Sequence, residues 1–298
     1  GNTFTITSGT NVTAGTNSLY ALTNAYAGNG GLIPEQTVLM TGNAQAHLTG
    51  ANRLSTLTFD NGGGGGIVLN AGGVLTLTGG IVATSTNATA SAVIGSQSVG
   101  SSGNGVLDLN GAAAFSMDVG AVSVAGRDVA PLTATLIVNS VIQNGGIAKS
   151  GSGLLQLGGQ NAFTGGVNAT AGGLVIGAST VAISGGFTGP FGTGTVSMAS
   201  GTRLLAASAN LSVQNAFTFG ESSPGVGSIV FGGLNSFNLT GSATIPATLW
   251  NVEVTAPQTT VSITDVLGDS GTSAIFKTGL GTLNIGGFAG DISATGGL

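Results

Sequence analysis

The stretch KSGSGLLQLGGQNAFTGGVNATAGGL, Lys149 to Leu174, sets strict apolar alternation at Leu155 and Leu157 between glycine-rich breaks at Gly151, Gly153, Gly158-Gly159 and Gly172-Gly173. Side chains that alternate apolar and polar face opposite sides of a strand, whereas glycine reaches left-handed backbone angles cheaply and marks the bends. The same arrangement returns at the other end of the chain as KTGLGTLNIGGFAGDISATGGL, Lys277 to Leu298. The copies match at Lys149 and Lys277, Gly151 and Gly279, Gly153 and Gly281, Leu155 and Leu283, the Gly158-Gly159 and Gly286-Gly287 pairs, Phe163 and Phe288, and the closing Gly-Gly-Leu. A sandwich or barrel has no need to repeat itself in this way; a solenoid, in which each coil stacks on the last, does.

Outward from this stretch the two-residue rhythm continues in Leu57/Phe59, Leu75/Leu77, Leu107/Leu109, Val122/Val124, Leu174/Ile176, Val196/Met198, Phe217/Phe219, Ile229/Phe231, Phe237/Leu239, Val252/Val254 and Val261/Ile263. Composition agrees. The 298 residues include 56 Gly and only 15 charges, 5 basic and 10 acidic, so the surface is covered by Ser, Thr, Asn and Gly. Stacked coils place equivalent side chains directly above one another, where like charges repel, so an uncharged polar face suits the geometry. Helix formers are scarce and β-branched residues abundant. The expected fold is all-β, a right-handed parallel β-helix (β-solenoid). At about 20 to 25 residues and about 4.8 Å per coil, the chain would make a rod on the order of 60 Å long.

The pattern K-x-G-x-G-x-L-x-L-x-G-x-N-x-F-x-G-G followed by A-G-G-L resembles the autotransporter-associated β-strand repeat of Gram-negative surface proteins, and FGTGTVSMASGTRLL, residues 191 to 205, resembles its continuation. The likeness covers 141 to 205, recurs over 275 to 298 and is fainter over 50 to 125. It implies a right-handed β-helix passenger exposed at the cell surface. The second copy lacks the Gln-Asn-Ala stretch, and the chain shows neither a signal peptide nor a membrane-anchoring barrel, so export by that route is only what the resemblance implies.

Two regions are expected: an irregular N-terminal coil or cap over 1–50, containing NSLYALTNAYAG, and a solenoid over 51–298. Because Leu298 stops where the first repeat continues with Val175-Ile176-Gly177, a segment of a longer protein is expected.

Candidate chemistry is sparse. His47, the single histidine, has no Gly-x-Ser-x-Gly elbow to serve as base, and reads as a surface or turn residue. Asp108 and Asp118, followed by Arg127-Asp128, are the nearest approach to a glycosidase carboxylate pair, but Asp108 lies outward between Leu107 and Leu109. Asp265 and Asp269 are the only candidates for a calcium turn. With no cysteine and one histidine, a zinc cluster is excluded; no phosphate-binding glycine loop precedes either lysine. Lys149 and Lys277 are expected to lay their stems over the coil edge with the ammonium in water. Sequons at Asn11, Asn87, Asn168, Asn210 and Asn238 are no more frequent than so much Asn, Ser and Thr produces by chance. A net charge of −5 argues against nucleic acid, no apolar run is long enough for a spanning helix, and one Trp and two Tyr cannot build the girdles of a membrane barrel.

The expectation is therefore a protein with no catalytic, cofactor or metal residues, acting outside the cell or on the surface of a Gram-negative bacterium as a stalk or self-associating filament subunit. An adhesin for glycans or host surfaces is the alternative, and a polysaccharide-cleaving β-helix enzyme a distant one.

Overall fold

The computed structural model describes residues 3–6, 11–14, 37–61, 64–96, 105–246, 248–267, 273–288 and 290–295. It is a parallel β-solenoid, all-β, with no helix among the described residues. The chain divides into two compact units, Gly1–Gly159 and Gln160–Leu298. The stretch NSLYALTNAYAG lies outside the described residues, as do Asp269 and the closing Gly-Gly-Leu.

In the first unit the chain alternates between two parallel sheets, so each turn contributes one strand to each. One sheet runs Thr3–Ile6, Thr37–Thr41, Ala51–Asn61, Val74–Ser85, Val106–Val124, Val141–Ser150. The other runs Asn11–Ala14, Gln45–Leu48, Gly66–Leu69, Ala92–Ser96, Ala134–Val138, Leu154–Leu157. Long strands of the first sheet bend where the register slips, between Leu54 and Thr56, Thr76 and Gly80, and Gln143 and Gly145. A slip of this kind frees backbone from the ladder and re-aims the strand, which turns one long strand into two sides of a coil.

In-register parallel pairing stacks equivalent residues, and the interior is built from such columns. Val38, Leu57, Ile81 and Met117 form one, fully buried; Met40, Phe59, Ala83 and Val119 form the next. Burying a side chain of this size contributes about 1.5–3 kcal/mol, so the alternation, more than any local propensity, selects the strand faces.

The second unit repeats the plan. Val167–Ala169, Val196–Met198, Phe217–Phe219, Phe237–Thr244, Thr260–Leu267 and Thr282–Ile285 form one sheet. Gly173–Ile176, Thr202–Ala206, Val226–Phe231, Leu249–Val254, Ala274–Thr278 and Asp291–Ala294 form the other. Its core is aromatic: Trp250 stacks on Phe219 with centroids 4.8 Å apart, and Phe191, Phe217, Phe231 and Phe237 close around them in stacked and edge-on contacts.

Coil length departs from the expected 20 to 25 residues. Ile229 stands against Val252 and Leu57 against Ile81, but Leu174 against Leu204 and Ile81 against Met117. The extra residues of the Leu174 coil leave the stack as an antiparallel hairpin, Val181–Ile183 with Gly186–Thr188, turning at Gly185 (φ 84°). A second excursion explains why Val122/Val124 does not bury as a pair. Ala125 (φ 50°) and Gly126 (φ 75°) reverse the chain, Arg127–Asp128 pairs back on Ser123–Val124, and Val124 is left 48% exposed while Val122 is buried. Two successive left-handed residues are the two-residue hairpin turn.

Candidate functional site

Both repeat lysines are placed differently from the expectation of a solvated ammonium. Lys149 and Lys277 are fully buried. Lys149 continues the column below Met117, and Lys277 stands in the column of Ile229 and Val252. Each reaches the end of its strand and turns into the K-x-G corner: Lys149 Nζ donates to the carbonyls of Ser150 (3.0 Å) and Gly151 (2.6 Å), and Lys277 Nζ to that of Gly279 (2.8 Å). The glycines have φ of 76° and 78°, and a Cβ at Gly151 would press on the Val119 carbonyl and the Asp118 carboxylate of the preceding coil. The repeat is thus a corner in which glycine lets the backbone turn and lysine satisfies the carbonyls the turn leaves pointing inward. Interior columns are set by register, which here overrides the preference of an ammonium for water.

Burial disfavours the charged form of Lys277 and holds its pKa below the usual lysine value of 10.5. With the folded value lowered, the unfolded chain binds more protons in the window between that value and 10.5. The penalty for burying the charge is present in full below the window and relieved as pH rises through it. The second unit should therefore gain stability on going from neutral pH toward pH 10.5. Denaturant unfolding of the parent chain and of Lys277→Met at the two pH values checks this; the gain is expected in the parent and absent in the variant.

The other candidates stay apart. His47 is half-buried on the outer face of its strand, opposite Val68, and lines a cleft of about 360 Å³ with Gln45, Gly66, Val68, Val93 and Gly95. No hydroxyl or carboxylate lines that cleft among the described residues, so nothing here completes a triad. Asp108 stands between Thr76 and Gln143 on the neighbouring coils, and Asp118 between Val82 and Ser150, so neither meets an acid across the ladder. Asp128 is exposed on its hairpin and accepts from the Ala130 N–H at 3.1 Å. Asp265 is exposed, beside Ser242 on the neighbouring coil. Among the described residues no group of three His, Asp or Glu is gathered to hold a metal ion.

What does converge is polar and lies where the long strands bend. Asp108 is half-buried rather than freely solvated. Its Oδ1 accepts from the Asn110 backbone N–H (2.8 Å), and its Oδ2 from Gln143 Nε2 (3.1 Å) and Asn144 Nδ2 (2.9 Å). From two coils away Arg53 donates through Nη1 to Asn110 Oδ1 (3.1 Å), reaching past Thr76. Asn110 (φ 54°) and Asn144 (φ 57°) hold left-handed angles, each followed by glycine. In the sequence the only signal for this cluster is the pair of Asn-Gly dipeptides; the ladder register alone brings Arg53 to it.

Exposed large apolar side chains among the described residues include Val124, Val129 and Leu132 on or beside the first unit's excursion, Val181 and Ile183 on the hairpin of the second, and Leu234, Leu280 and Ile292 elsewhere in the second. All the large exposed apolar residues among the described ones are aliphatic.

Comparison with protein-family models, with curated proteins and with solved structures returns no match.

Proposed function

We propose that the chain is a non-catalytic extracellular structural protein, a β-solenoid stalk or self-associating fibre subunit at the surface of a Gram-negative bacterium. The observation that carries this reading is where the outward polar side chains go. They bond from coil to coil: Ser200 with Ser228 (3.1 Å), Asn238 to Ser212 (3.2 Å), Asn284 to Ser262 (3.4 Å), and Gln143 to Asp108. Groups committed to neighbouring rungs reinforce a stack and leave little to converge on a substrate. The resemblance of Lys149–Leu174 to autotransporter repeats supports the location. Chemistry that cleaves polysaccharide fits poorly with the described acids Asp108 and Asp118, neither of which meets an acid across the ladder.

Self-association fits the lack of charge. Natural β-proteins guard exposed edges with Lys and Pro, and this chain has two Lys, both buried, and six Pro. Contact between copies would rest on backbone pairing and apolar surface, with few ions to screen. Light scattering or sedimentation of the purified chain from low to high ionic strength should show assemblies whose size is insensitive to salt. A monomer at every salt concentration would leave the stalk without self-assembly. Assemblies that dissolve in high salt would mean that the few charges hold the contact.

An adhesin is the second reading, favoured by the aliphatic hairpin at Val181–Ile183. Glycan recognition through stacking is not, because no large aromatic side chain is exposed among the described residues.

A further inference from the structure

The two Asn-Gly dipeptides at the bend of the first unit share a sequence motif, a left-handed asparagine, exposure of the asparagine to water and a hydrogen bond to Asp108, which accepts from the Asn110 backbone N–H, yet their side-chain amides meet different groups. At Asn110-Gly111 the amide oxygen accepts from the Arg53 guanidinium at 3.1 Å, and a Cβ added to Gly111 would meet no atom within 4 Å. At Asn144-Gly145 the amide nitrogen is held at 2.9 Å by the Asp108 carboxylate, and a Cβ at Gly145 would press on the Ala112 carbonyl (2.6 Å) and on Leu109 (2.9 Å).

We propose that Asn110 is a site of self-cyclisation, converting to aspartate or isoaspartate within the folded chain, and that Asn144 is protected. The Gly111 amide nitrogen, having given its proton to base in the solvent, attacks Asn110 Cγ. The new C–N bond forms as the carbonyl π electrons move onto Oδ1. Collapse of this oxyanion expels Nδ2, which leaves with a proton from water as ammonia, and a five-membered succinimide remains. Water adds to either imide carbonyl and breaks the adjacent C–N bond, giving aspartate or isoaspartate. The sum is one water consumed and one ammonia released, with no change of oxidation state.

Arg53 sits where negative charge develops: a guanidinium donating to the carbonyl oxygen becomes a stronger partner as that oxygen turns anionic. A Cβ at Gly111 would meet open space, so no neighbouring coil blocks a shift of this residue toward Asn110 Cγ. Asp108 stands beside both residues, but at Asn110 it bonds only the backbone N–H and the Arg53 guanidinium offsets it. At Asn144 it holds the side-chain amide itself and opposes the same build-up of charge, and Gly145 is wedged against the adjacent coil. The coil tolerates the product because the ladder is already interrupted here, between Gln143 and Gly145 and opposite Asn110. The extra backbone carbon of an isoaspartate falls where no rung has to be kept, and a new carboxylate gains Arg53 as a partner.

The test is peptide mapping by mass spectrometry of the full chain incubated at mildly alkaline pH, native and in urea, with fragmentation that separates aspartate from isoaspartate. In the native chain Asn110 should convert well ahead of Asn144, and in urea the two should converge. Arg53→Gln should slow Asn110 about 3- to 10-fold while leaving Asn144 unchanged, less than the 10²-fold cost of losing a buried oxyanion donor because this guanidinium is exposed. Asp108→Asn should speed Asn144. Equal native rates, a native preference that persists in urea, or an Arg53→Gln chain that stays folded and converts at the parent rate would each overturn the proposal. Should Arg53→Gln unfold, the native-to-urea comparison of the parent chain decides alone.

Discussion

Trp250→Ala should destabilise the second unit by about 3–5 kcal/mol, the range for emptying a large aromatic side chain from a packed interior. Trp250 has no exposed surface, lies 4.8 Å from the ring of Phe219 and 6.3 Å from that of Phe231, and connects Phe219 to the Phe231–Phe237 pair. Its ladder neighbours are Gly227 on one side, where Pro246 and the Gly220 carbonyl take the place a Cβ would hold, and Ile275 on the other. Parallel strands cannot close over such a gap without breaking register along the whole coil, which makes relaxation poor and places the cost high in the range. The indole Nε1 finds no acceptor among the described atoms, so removing it forfeits no hydrogen bond. Trp250→Phe should therefore cost far less than Trp250→Ala, because stacking on Phe219 survives and an unsatisfied donor disappears. Urea unfolding followed by far-UV circular dichroism measures both. Equal losses for the two variants would show that the stack contributes little beyond the bulk of its rim.

How far the sequence discloses this architecture depends on what each signal encodes. Alternation encodes facing: Leu57 and Phe59, Leu107 and Leu109, and Phe237 and Leu239 are all buried, because a period of two admits one inward face. It does not encode where a strand leaves the stack. Val122/Val124 continues the rhythm up to the point where Ala125-Gly126 reverses the chain, and Val181-Ala182-Ile183 reads like any rung although all three residues are exposed. Glycine spacing marks the corners, yet coils grow by inserting hairpins between them, which the repeat length alone cannot show. The polar bend is hidden for another reason. Arg53, Asp108 and Asn144 lie far apart in the chain, and their meeting is a product of register slips decided by the packing of whole strands.

The lysines are the case in which chemistry alone points the wrong way, and they support the second large effect. Lys149→Ala should cost about 4 kcal/mol, combining the empty volume under Met117 with the loss of a donor to two inward carbonyls. Lys149→Met keeps the volume and loses only the donor, so about 1–3 kcal/mol is expected. The contrast separates two accounts of the corner. If the stem is the main contribution, as an interior column of Val38, Leu57, Ile81 and Met117 implies, Met recovers most of the loss. If the bonds to Ser150 and Gly151 dominate, Met is nearly as damaging as Ala, and the conformation at Gly151 depends on the ammonium. Two variants as stable as the parent in urea unfolding would return Lys149 to the solvent. That outcome is disfavoured by the corner itself, since Gly151 and Gly153 pack so closely on the Val119 and Gly120 carbonyls of the preceding coil that the backbone cannot swing outward to release the side chain.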